Sequence, residues 1–149
     1  MAIVSVVLAL VLGGGGAAFA YWTSSGTGTG TATTGNSVAL TVTSSAPTGG
    51  ALSPDGPTQT VAFSVTNPGT GGQALASIVV SVASATGAAW TAVPGCSASD
   101  YTVGTPTITY GTIAGGASLT GTVTVTMIDR GINQDACQGV VVPLYFIAS

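Results

Sequence analysis

The chain has 149 residues, enough for one domain plus a short leader, and only 3% of them are charged, against about a quarter in ordinary globular proteins. The charged set is Asp55, Asp100, Asp129, Arg130 and Asp135, with no Glu, Lys or His and a formal net charge of -3. One basic residue cannot build a phosphate-binding surface, so nucleic-acid partners are excluded. General acid–base or nucleophilic catalysis also lacks its usual groups, because neither His nor Lys is present to activate a Ser or Thr. An aspartic pair from Asp129 and Asp135 is the residual enzymatic option. No cofactor motif appears, and the expectation is a protein that is not an enzyme.

Residues Ala2 to Leu12, "AIVSVVLALVL", form an apolar run of signal-peptide core length. Ala18-Phe19-Ala20 supplies the small-x-small pattern of a cleavage site, which places the cut before Tyr21. Extended through Trp22, the same stretch is about 20 residues long and would just span a bilayer as an uncleaved anchor. Its four consecutive glycines, Gly13 to Gly16, disfavour a helix. No Lys or Arg precedes the run, which is unusual for a signal peptide. The segmentation is therefore 1–20 signal or anchor, 21–35 linker, and 36–149 body. Export is expected, with membrane contact only through residues 1–20 if they are retained.

"TSSGTGTGTATTG", Thr23 to Gly35, has the composition of a flexible linker. It also alternates Thr with small residues, and Thr is a strand former. Thr23, Thr27, Thr29 and Thr31 thus mark a segment that could add as a strand to another sheet edge.

Period-two patterns then follow one another to the C-terminus. Val38, Leu40 and Val42 alternate in "SVALTVTS", and Val61, Phe63 and Val65 in "QTVAFSVTN". A turn at Pro68-Gly69 precedes "ALASIVVSVAS", with Ile78, Val80 and Val82 on one face. "AAWTAV" brings Trp90 close to Cys96. "YTVGTPTITY" carries Pro106, an edge-strand signal. "SLTGTVTVTMI" alternates through Val123, Val125 and Met127, and "GVVVPLYFIA" ends the chain with Pro143 at an edge or bulge. About seven strands without a helical period imply an all-β fold, a two-sheet sandwich of immunoglobulin-like type.

Cys96 and Cys137 are the only cysteines. In an exported protein an even count reads as a disulfide, here tying two turn-rich segments at one end of the sandwich; two buried thiols are the alternative. If the bridge forms, "CSASD" and "DRGINQDAC" meet. Asp100, Asp129 and Asp135, with Asn133, could then offer oxygen ligands to Ca2+. The plainer reading has Arg130 neutralising one Asp while Asn133 and Asp135 cap turns. Trp22, Trp90 and Tyr101 could stack against a sugar, or Trp90 and Tyr101 could pack on the bridge.

Two resemblances rest on quoted stretches. "AAFAYWTSSGTGTGTATTGNSVALTV" resembles the signal-junction region of camelysin- and TasA-like biofilm-matrix proteins, in its small-residue cleavage site, aromatic pair and Thr/Ser/Gly run before the first strand. The body, with "LSPDGPTQTVAFSVTNPGTG", "GCSASDYTV" and "NQDACQGVVVPL", is similar to uncharacterised secreted actinobacterial proteins. The first resemblance implies a sandwich subunit that polymerises through its N-terminal strand; the second carries no known activity. The chain departs from the matrix proteins in its scarcity of charge and in its cysteine pair. Together these readings point to an exported structural or adhesive protein of the cell surface or extracellular matrix. Its partners would be further copies of itself or other matrix components. The competing expectation is a binding module for carbohydrate or Ca2+ built on the loops at the cysteine end.

Overall fold

The computed structural model describes Ser25, residues 27–35 and residues 37–149. The expected cleavage positions Ala18, Ala20 and Tyr21, the whole of 1–20, Trp22 and Thr23 lie outside the described residues. Among the described residues no helix is long and apolar enough to cross a membrane. Thr34–Ser149 forms one compact unit. It is all-β, an antiparallel sandwich.

The strands are β1 (Thr41–Ser44), β2 (Gln59–Thr66), β3 (Gln73–Leu75), β4 (Ile78–Val82), β5 (Thr91–Val93), β6 (Cys96–Ser97), β7 (Tyr101–Val103), β8 (Thr107–Ile108), β9 (Gly111–Ile113), β10 (Ser118–Met127) and β11 (Leu144–Ala148). The main sheet runs β1-β2-β10-β7, with β8 also on β10. Its two long strands, β2 and β10, show why the pattern folds this way. Val61, Phe63 and Val65 are buried on one, and Val123, Val125 and Met127 on the other, while the Thr, Ser and Ala residues between them face outward or are only half-covered. The antiparallel register sets Val123 opposite Val61 and Leu119 opposite Val65, so the apolar faces coincide.

Opposite this sheet, β11 pairs with β4, and the pairing continues to Ser77 and Ser149, which exchange both backbone bonds at 2.7 and 3.0 Å. The Phe63 and Phe146 rings meet across the sandwich at 5.4 Å. Smaller pairs, β3 with β9 and β5 with β6, complete the body.

The strands are more numerous and shorter than the sequence patterns suggest, and Gly and Pro explain the difference. "YTVGTPTITY" divides into β7 and β8 because Pro106 has no N–H to give the ladder; Gly104 N–H makes the last bond, 2.8 Å to Thr124 O. "GVVVPLYFIA" becomes a strand only after Pro143. "ALASIVVSVAS" divides into β3 and β4, which pair with different partners. Gly121 is required by packing: an added Cβ would lie 2.6 Å from Phe63 Cζ and 2.8 Å from Thr107 O.

Two apolar clusters share β10. One, around Val61, Phe63, Val65, Leu75, Ile78, Ile113 and Val123, fills the middle of the sandwich. The other joins Tyr101, Val125 and Met127 to Cys96 and Cys137 at one end. Asn67, fully buried, closes the opposite end. Its Nδ2 donates to Gly71 O (2.7 Å) and Ile113 O (2.9 Å), and its Oδ1 accepts from Gly69 N–H (2.9 Å).

Candidate functional site

Cys96 and Cys137 are joined by a disulfide, with Cα atoms 5.1 Å apart. Cys96 comes from β6, which folds back on β5 through the turn at Pro94-Gly95, Gly95 taking φ 93°. Cys137 ends a single 3-10 turn, Asp135–Cys137. The bridge is buried against Tyr101, whose hydroxyl lies 3.5 Å from Cys96 Sγ, and Trp90 packs on Tyr101 with ring centroids 6.1 Å apart. The two rings therefore belong to the packing around the bridge. Burial, and then the neighbouring Asp100 charge, push the Tyr101 phenol above its ordinary pKa.

The bridge does bring "CSASD" and "DRGINQDAC" together, and Asp100 is the centre of what forms. Its side chain is 2% exposed. Oδ2 accepts from Ser97 N–H at 2.8 Å; Oδ1 accepts from Gln134 Nε2 at 3.0 Å and from Arg130 Nη1 at 3.4 Å. Burial alone pushes the Asp100 carboxyl upward. The Ser97 N–H, the Gln134 amide and the Arg130 guanidinium together outweigh that and hold it below its ordinary value. Gln134 ties the arrangement together: it also donates to Ile128 O (3.1 Å) and accepts from Arg130 N–H (3.2 Å). Arg130 additionally reaches Ser99 Oγ at 3.2 Å.

Asp129 and Asp135 are placed differently. Asp129 Oδ1 accepts from Gly131 N–H at 2.8 Å, and Asp135 Oδ1 from Gln138 Nε2 at 3.0 Å. Asn133 caps its turn through Asp135 N–H, also at 2.8 Å. Both carboxylates border a depression of about 370 Å3 together with Pro54, Ile132 and Gln134. The three-carboxylate set expected for Ca2+ is not assembled, because Asp100 is turned inward onto Ser97 and Gln134 and does not line that depression. Among the described residues the group of ligand-type atoms within 4.8 Å of one another is Cys96, Asp100 and Cys137. Its sulfurs are already consumed by the disulfide.

A second feature had no sequence signal. β1 and β11 face each other at one side of the sandwich with no ladder between them. The space is a depression of about 470 Å3 lined by Leu40, Val42 and Ser44 on one wall and by β11 on the other. It continues past Leu144 into a cleft of about 380 Å3 that reaches Val61, Val125 and Tyr101. Thr27, Thr29 and Thr31 are exposed, and an added Cβ at Gly28 or Gly30 would meet nothing within 4 Å.

No protein-family model, curated protein or solved structure matches this chain. Its class rests on its own geometry: a disulfide-closed, nearly uncharged, antiparallel β-sandwich.

Proposed function

We propose that this is an exported structural or adhesive protein of the cell surface or extracellular matrix, acting by contact and not by catalysis. In its more specific form, it is a fibre subunit that assembles by donating its N-terminal segment as a strand. The observation that carries this reading is the Cys96–Cys137 bridge, buried at one end of a sandwich surfaced by Thr and Ser. A bridge of this kind persists in oxidising compartments; the exposed Thr-rich residues 27–35 supply a strand-competent segment, and β1 and β11 form no ladder with one another. The carboxylates serve structure on this reading, since Asp100 is occupied by donors from three residues, Ser97, Arg130 and Gln134. The test is fractionation of native cells, with intact mass and negative-stain microscopy of the recovered protein. Oxidised protein on the cell surface or in extracellular filaments is the expected result. Reduced protein confined to the cytosol overturns it.

A second reading, a ligand-binding module at the disulfide end, is favoured by the depression that Asp129 and Asp135 share. Carbohydrate or Ca2+ would be its ligand. A ligand of the native state raises the melting temperature; an unchanged Tm in millimolar Ca2+ and in the presence of sugars removes this reading.

A further inference from the structure

We infer that the cleft beside Leu144 is a binding site for an uncharged, mainly apolar small molecule carrying one hydroxyl group. Neither reading above assigns this site or this class of ligand. It has none of the carboxylates that border the depression at Asp129 and Asp135.

The two walls of the cleft are fastened by separate means. The chain after β1 is stitched to β2: Ser45 N–H donates to Ala62 O (2.9 Å), and Thr48 and Thr60 exchange both backbone bonds at 2.8 Å. Gln59 Nε2 adds a bond to Gly50 O at 3.1 Å. The opposite wall, Cys137 to Leu144, is fixed at one end by the disulfide and at the other by the ladder of β11 on β4. Between those anchors run Gly139, with φ 70°, three valines and Pro143, all outside any strand. Closing the space would break backbone bonds on one side or pull against the bridge on the other.

The floor of the cleft belongs to the core. Val61, Val125 and Tyr101 line it although all three are buried. Around them Leu52, Val140, Val142 and Leu144 pack against the disulfide-end cluster and stay only half-covered. An apolar ligand would take that remaining surface out of water, which is favourable in proportion to its area. At about 380 Å3 the cleft is of small-molecule size, since such sites span roughly 300–1,000 Å3.

Charge and hydrogen bonding define the ligand further. No charged side chain lines the cleft. A carboxylate or ammonium entering it would lose its hydration and gain no partner, so an ionised molecule is rejected. One polar side chain is placed for recognition. Gln59 stands two residues before Val61 in β2 and so shares its core-facing side. A carbonyl accepts only from the amide nitrogen, so the bond to Gly50 O fixes which way the Gln59 amide is turned. Its Oε1 then takes no bond from the described residues. A fixed acceptor at the edge of an apolar floor selects a donor, and a hydroxyl group supplies one without charge.

The test is displacement of a neutral naphthylamine dye from the intact, oxidised protein by n-octanol, by its methyl ether and by octanoate. The ether has the same chain but no donor. Octanol should displace the dye, and octanoate at neutral pH should not. Gln59→Leu should keep dye uptake and weaken octanol about fivefold while leaving the ether unmoved, a difference that altered packing alone would not produce. Ala51 is an exposed residue of the cleft wall; Ala51→Trp should fill the cleft and abolish dye uptake with the Tm unchanged. An unchanged chain that takes up no dye, an A51W chain that still does, octanoate displacing as well as octanol, or Q59L weakening octanol and ether alike overturns the inference. The cell-surface reading stands or falls separately, by fractionation.

Discussion

The middle of the sandwich and its disulfide end are stabilised by different chemistry. In the middle, β2 and β10 bring their alternating Val and Phe residues into register, and burial of apolar surface is sufficient. At the disulfide end the apolar set is thinner, and a covalent bridge and a buried carboxylate with donors from three residues supplement it. A chain with so few charges still spends one carboxylate and its single guanidinium there, on fixing the loops beside the bridge. Where strands give out, loop order depends on directional bonds.

The comparison can be broken most severely in the middle. Phe63→Ala removes the ring that meets Phe146 and should cost about 3–5 kcal/mol in denaturant unfolding, unaffected by reductant. Replacing Cys96 and Cys137 together by Ser acts at the other end. With a sequence separation of 41, the loss should be roughly 4 kcal/mol in the chain-entropy account, and added reductant should have no further effect on this variant. Asn67→Ala strands a buried carbonyl and an N–H and should cost about 2–3 kcal/mol, again by denaturant unfolding. Asp100→Asn should cost about 1–2 kcal/mol at neutral pH, and its pH dependence is the sharper readout. The native carboxyl has the lower pKa, so on acidification the unfolded chain takes up the proton first. The stabilisation is present above about pH 4 and is lost as pH falls through the native value. Melting curves from pH 7 to pH 2 should show this acid-side loss in the unchanged protein and a shallower one in the Asn variant.

The legible parts of the fold are those written in local period. β2, β4 and β10 follow from alternation in their own residues, and the cysteine pair follows from its count and the expected export. What escaped depends on contacts distant in sequence. "CSASD" shows only the local spacing of Ser97 and Asp100, a capping pair; the donors to the other carboxylate oxygen, Arg130 and Gln134, lie 30 and 34 positions away. Gln134 and Asn67 carry no motif, since any Gln or Asn can end up exposed. The open side between β1 and β11 is a property of strand order, and strand order has no signature in short stretches. The short β9 is illegible for a different reason: a three-residue strand does not contain a full alternation.

Arg130 is the only Lys or Arg in all 149 residues, and it lies inside the loop closed by Cys96 and Cys137. A protease that cuts after basic residues therefore has one target, on a side chain 40% exposed. Hydrolysis there leaves no free fragment. Residues 131–149, including the whole of β11, remain tethered through Cys137, and mass spectrometry would register one added water until a reductant is supplied. To such proteases the protein is cleavable but not divisible, and only the combination of a cut and a reduction tests whether β11 stays in place by pairing and packing alone.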